Sequence, residues 1–233
     1  MKKRNSSIYK IIIIICIILI LSLIFNIILL IKKPKEVIKI KTETKTEYIV
    51  DENIVFFGDS ITYRYDIDKY FPNHHVVNKG INGNTTENLL ERLDNDVIKY
   101  NPSKVFLLIG VNDLNEYKTK EEIIDNIKKI IKEINEKRKY TKIYIESILP
   151  INWDILNKNS YPLNEVLTND LIKETNELIK ELCKDKDLTY IDVYDELIDD
   201  EGNLKEEYTV EGQHLTDEGY EKVTEVLKKY VDE

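Results

Sequence analysis

Short apolar runs along the chain alternate with longer stretches in which apolar positions return every three or four residues. The runs Ile54–Phe57, His75–Val77, Val105–Ile109, Ile143–Ile148 and Tyr190–Val193 are short and rich in β-branched or aromatic residues, which predicts five strands. Between them, Ile123, Ile124, Ile127, Ile130, Ile131 and Ile134 mark one face of a helix. Further helical patterns run over about Thr85–Tyr100, Val166–Lys186 and Thr216–Val231. Strands alternating with helices predict an α/β domain over residues 53–233, built on a parallel sheet of about five strands covered on both faces. Roughly 180 residues suit one domain with a real core.

The amino-terminal part has a different pattern. From Ile11 to Ile31 the chain is apolar, relieved only by Ser22 and Asn26. As a helix rising about 1.5 Å per residue this run reaches roughly 31 Å, which matches a hydrocarbon core of about 30 Å. It predicts one transmembrane helix at 11–31, after a basic tail at 1–10 and before a spacer at 32–52. A cleaved signal peptide fits less well, because the run is long and no small-x-small site follows it. Basic residues flank the run on both sides, so the positive-inside count is equivocal. A ten-residue tail is the easier end to leave inside, which predicts a single-pass cell-membrane protein with its domain extracytoplasmic.

Charge narrows the partners. Beyond residue 32 the chain carries 29 basic against 43 acidic side chains, a net of −14. Such a domain repels nucleic acid phosphates, and no basic aromatic patch argues otherwise. The two cysteines, Cys16 in the apolar run and Cys183 in the domain, cannot pair within one chain.

The candidate chemistry lies at strand ends. Gly58-Asp59-Ser60 follows the first strand, so the serine leaves at the carboxyl end of the sheet, where open α/β sheets place their ligands. A serine hydroxyl is a weak nucleophile until a neighbouring base takes its proton. His74 and His75 sit at a loop edge. His214 follows Glu211 by three residues in a glycine-containing loop, which can set a carboxylate beside the imidazole. Gly80, after Val76–Lys79, and Asn112, after Gly110, can offer oxyanion donors at the same rim. Gly-x-Ser-x-Gly, a phosphate loop, a dinucleotide fingerprint and a Cys/His metal cluster are all missing from the sequence, so no cofactor or metal is expected.

Taken in order, these motifs resemble the GDSL, or SGNH, esterase and acylhydrolase superfamily. The four lettered residues match Ser60, Gly80, Asn112 and His214. The segments Asn78–Thr86 and His214-Leu215-Thr216, followed by Gly219-Tyr220, are similar to its second and last blocks. The resemblance spans about Ile54 to Tyr230. It implies a flavodoxin-like three-layer α/β/α sandwich and metal-free ester hydrolysis through an acyl-enzyme. In that reading Ser60 attacks, His214 is the base, Glu211 orients it, and Ser60 and Gly80 N–H groups with the Asn112 amide hold the oxyanion. The family usually has Asp where this chain has Glu211, which puts that member in question. The expected substrate is a short O-acyl, above all O-acetyl, ester on cell-envelope or extracellular carbohydrate. Lysophospholipase, thioesterase or O-acyltransferase activity and a non-catalytic tethered binding module stay open beside it. Trp153 and Tyr161, in a mostly polar segment from Leu149 to Glu165, are candidate substrate contacts, with anchoring of that loop as the equal alternative.

Overall fold

A computed structural model describes Ser22, residues 52–159 and residues 162–233. The chain divides into two units, Met1–Ile49 and Val50–Glu233. The basic tail, the apolar run at 11–31 apart from Ser22, almost all of the spacer, and Tyr161 lie outside the described residues. Among the described residues no helix is long and apolar enough to cross a membrane.

The second unit contains β1 (Ile54–Gly58), β2 (Val76–Gly80), β3 (Lys104–Leu108), β4 (Lys142–Glu146) and β5 (Thr189–Ile191). All pair in parallel, in the order β2-β1-β3-β4-β5. The helices are α1 (Ser60–Arg64), α2 (Ile67–Tyr70), α3 (Thr86–Asp96), α4 (Val111–Asn115), α5 (Lys120–Lys137), α6 (Trp153–Lys158), α7 (Asn169–Lys186), α8 (Tyr194–Leu197) and α9 (Asp217–Asp232).

Alternation along the strands builds two cores. Val55, Phe57, Val105, Leu107, Ile143 and Ile145 face α3, α5 and α7, including the isoleucine stripe of α5. Ile54, Phe56, Phe106, Leu108 and Tyr144 face α1, α2 and α9. On this second face Phe56, Phe106 and Tyr144 stack across three strands, with centroids 4.8 and 4.7 Å apart. At the amino end of the sheet the buried Lys104 donates to the carbonyls of Tyr230 and Val231 at 2.9 and 2.6 Å, closing the end of α9.

Several boundaries differ from expectation. The second strand runs to Gly80, so Asn78-Lys79-Gly80 is strand and not an exit loop. The helix expected over Thr85–Tyr100 stops at Asp96; a 3-10 turn follows, and Asn101 turns left-handed before Pro102. Thr168 caps α7, accepting from the Leu171 N–H, and so moves its start past Val166. The segment from Leu149 to Glu165, read as loop, contains α6, whose cap is Asn152.

Candidate active site

Register brings the site together. Gly58 of β1 lies opposite Gly80 of β2 and Leu108 of β3, so the three strands end at one level. Immediately beyond β1, Ser60 opens α1. Ser60 Oγ and His214 Nε2 are 2.9 Å apart across 154 residues of sequence. On the far side of the ring, His214 Nδ1 bonds Glu211 Oε1. The same carboxylate oxygen accepts the His214 backbone N–H at 3.0 Å, so Glu211 holds both the ring and its peptide. Thr209 pins the loop: its hydroxyl donates to the His214 carbonyl at 2.9 Å and accepts the Gly212 N–H at 2.8 Å.

His214 is only 3% exposed. Burial lowers its pKa below the ordinary imidazole value, while Glu211 pulls in the opposite direction. The ring is therefore neutral at neutral pH, the state a general base needs.

Helix α1 is held at both ends. Asp59, almost fully buried, caps it by accepting the Ile61 N–H at 2.9 Å. Asn78 Nδ2 donates to the carbonyls of Thr62 and Tyr65 at 2.7 and 2.9 Å. The Tyr220 hydroxyl donates to the Ile61 carbonyl at 2.8 Å.

The oxyanion candidates are placed unequally. Ser60 has the first N–H of α1, a position without an intrahelical acceptor. Asn112 opens α4 beyond Gly110, and one N–H of its amide donates to the Asn84 carbonyl at 2.9 Å. Its second amide hydrogen remains for a ligand. Gly80 stands at the same rim, but its N–H donates to Asn78 Oδ1 at 2.8 Å, so the expectation of an unengaged donor is corrected. Gly80 meets a steric demand as well, since a Cβ there would lie 2.0 Å from the Tyr63 nitrogen.

For Trp153 the contacts favour the anchoring alternative. Its indole N–H donates to the Leu167 carbonyl at 2.8 Å and its ring packs partly buried against the core, so it anchors the segment. A small pocket beside Asp59 and Gln213 is lined by Ile61, Leu108, Val111 and, from that segment, Leu149 to Ile151.

Two positioning residues had no local sign in the sequence. Arg92 on α3 donates to the carbonyls of Gly58 and Lys79 at 2.8 and 2.9 Å and to Asn84 Oδ1 at 2.7 Å, tying two strand ends to the loop under Asn112. Asp113, fully buried, accepts the Thr86 N–H and hydroxyl, capping α3 from α4. Among the described residues no group of acidic, histidine or cysteine side chains could hold a metal ion.

A parallel 2-1-3-4-5 sheet with serine, histidine and carboxylate aligned at its carboxyl end defines an SGNH-type hydrolase. The chain belongs to the GDSL-like lipase/acylhydrolase family, whose sequence pattern matches residues 56–222. A solved structure from Streptococcus pneumonia assigned as a platelet activating factor is 34% identical, covers 78% of this chain and 85% of that one, and has a TM-score of 0.72. Platelet-activating factor acetylhydrolase IB subunit alpha2 of Rattus norvegicus is 26% identical over 78% of this chain and 76% of that protein. N-acylneuraminate cytidylyltransferase of Streptococcus agalactiae is 27% identical over 77% of this chain. This chain spans only 38% of the length of that protein.

Proposed function

We propose that the domain removes short O-acyl groups, above all O-acetyl, from carbohydrate outside the cell, tethered to the membrane by residues 11–31. The observation that carries the chemistry is the aligned Ser60–His214–Glu211 set. Ser60 Oγ attacks the ester carbonyl while His214 Nε2 takes its proton, and Glu211 keeps the ring oriented and stabilises its charged form. The oxyanion is held by the Ser60 N–H and the second amide hydrogen of Asn112; Gly80 joins by sharing its N–H between Asn78 and the oxyanion. His214 then protonates the departing alcohol, leaving an acyl group on Ser60. Water repeats the sequence with His214 again as base and releases the acid.

The pocket lined by Asp59 and Ile61, the neighbours of Ser60, supports the short acyl length. Its apolar walls of Ile61, Leu108, Val111, Ile148 and Leu149 support a small apolar acyl group. An acetylhydrolase among the relatives supports the same end of the range. The carbohydrate assignment is supported by the acidic domain, which disfavours anionic lipid surfaces, and by the expected external tether.

The test is hydrolysis of p-nitrophenyl acetate with labelling by a fluorophosphonate probe. Wild type should turn over and be labelled at Ser60. Ser60→Ala should do neither, and His214→Ala should lose several orders of magnitude, with the two losses far from additive. If Ser60→Ala kept more than about a tenth of the activity, the assignment would fail.

A further inference from the structure

Among the described residues five large apolar side chains are exposed: Tyr63, Ile81, Tyr117, Val166 and Val210. Each of the five connections leaving the carboxyl ends of the strands contributes one. Exposed apolar side chains are ordinary when scattered, but these share the rim that carries Ser60 and His214.

Tyr117 stands apart because its backbone works against it. Helix α4 ends in a Schellman turn, in which the Tyr117 N–H donates to the Leu114 carbonyl and the Lys118 N–H to the Asp113 carbonyl. That turn needs a left-handed residue after the cap, and Tyr117 supplies it at φ +64°. Glycine normally fills this position because a side chain there is strained. Among the described residues the other left-handed non-glycine positions are Asn101 and Asp187, whose short polar side chains tolerate the conformation. A tyrosine does not belong to that group. Folding does not repay the strain either, for the side chain is 71% exposed. Bulky residues held in such backbone are found mainly where a ligand uses them.

Position suggests what the ring meets. Tyr117 follows Asn112 by five residues, just past the end of α4, whose Val111 and Leu114 join the core under α5. Tyr63, 57% exposed, follows Ser60 by three residues on α1, whose Ile61 joins the core on the opposite face of the sheet. The two tyrosines thus stand on opposite sides of the sheet's carboxyl edge. Each exposed apolar residue also has polar neighbours: Arg64 beside Tyr63, Asn82 beside Ile81, Glu116 and Lys118 around Tyr117, Glu165 beside Val166, Glu211 beside Val210. Isolated flat rings among charges and amides suit a ligand with apolar faces and a hydroxylated edge. A lipid aggregate calls for a continuous apolar patch and is repelled, if anionic, by this acidic domain.

We propose that Tyr117, with Tyr63 across the rim, is a substrate-recognition residue that stacks on the sugar ring bearing the ester. This rests on the ester-hydrolase reading above and assigns the leaving-group side of the same site.

The experiment compares full-length wild type, Tyr117→Gly and Tyr117→Phe on p-nitrophenyl acetate, acetylated xylo-oligosaccharide and lysophosphatidylcholine, with a thermal melt of each. Tyr117→Gly relieves the strained backbone, so its Tm should hold or rise by about 2–4 °C. Its kcat/KM on the oligosaccharide should fall about tenfold, chiefly through KM, while p-nitrophenyl acetate stays within about twofold. Tyr117→Phe keeps the ring and should keep the oligosaccharide activity. Equal losses on both acetates, or a lowered Tm, would make Tyr117 a residue of the fold and overturn the assignment. An unchanged rate on the oligosaccharide, or a larger loss on lysophosphatidylcholine, would overturn it too. A wild type active on p-nitrophenyl acetate but inert towards the oligosaccharide removes the sugar alone. A wild type inert on all three substrates removes the hydrolase reading beneath it.

Discussion

Glu211 has two tasks, accepting from the His214 ring and from its backbone N–H. Glutamate at this position thus reaches the imidazole and stays in the alignment. Burial lowers the His214 pKa and the Glu211 charge raises it, so removing that charge lowers it further. Glu211→Gln should reduce kcat/KM by up to about 10⁴ and move the acid limb of its pH profile to lower pH. A profile and rate both unchanged would mean that something other than Glu211 orients the ring. Asn112 acts on a different term. Asn112→Ala should lower kcat by about 10²–10³ with KM nearly constant, because the oxyanion exists only beyond the ground state. A raised KM with normal turnover would make Asn112 a binding residue.

Among elements, the contact between α1 and β2 carries the nucleophile. Helix α1 is five residues long, too short to hold itself, and depends on Asp59, Asn78 and Tyr220 for its position. Gly80 lets it sit directly on the strand. In Gly80→Ala the new methyl would meet backbone, with the Tyr63 nitrogen at 2.0 Å and the Thr62 carbonyl carbon at 2.5 Å. Neither can rotate away, so α1 must shift. A stability loss of about 1–3 kcal/mol is expected, with a fall in kcat much larger than that accounts for. Denaturant unfolding set beside kcat separates the two, and a variant that lost stability yet kept full kcat would show that α1 tolerates displacement.

Over the whole molecule, Asp59 and Glu146 are among the buried carboxyl groups near the site. Burial, then the neighbouring Asp59, push Glu146 up to about 8. Burial pushes Asp59 to about 7, partly opposed by the Ile61 N–H. Both folded values lie above the ordinary carboxyl value of about 4. The folded protein therefore holds protons that the unfolded chain releases, and stability is lost as pH rises from about 4 to 8. Glu146→Gln should flatten that decline. Tm between pH 5 and pH 8 measures it, and an equally steep fall in the variant would assign the decline to other groups. The expected tether is tested in the same intact setting: external protease should remove the domain from whole cells while leaving a membrane-bound stub, and full protection would reverse the proposed orientation.

The sequence by itself was enough for the α/β architecture and the five strands, because apolar period and turn residues are local signals; its short motifs at strand ends, through their resemblance to the SGNH family, marked Ser60, Gly80, Asn112 and His214 as candidates. It also singled out Glu211 as the carboxylate, since a three-residue spacing to His214 is local. Tertiary structure alone decided the rest. Asn78 was quoted only as part of a motif, yet its two ends tie α1 to β2 and engage the very N–H of Gly80 that was expected to be unengaged. Arg92 reads as a solvated helix position until the ends of β1 and β2 are brought beneath it. Trp153 stood equally as a ligand contact or a loop anchor, and the acceptor that favours the anchor, the Leu167 carbonyl, lies fourteen residues away. Tyr117 sits in ordinary loop sequence, and its strain exists only once α4 has closed its last turn. Local pattern reports what a residue prefers; which preference is satisfied, shared or overridden depends on the long-range partners that folding supplies.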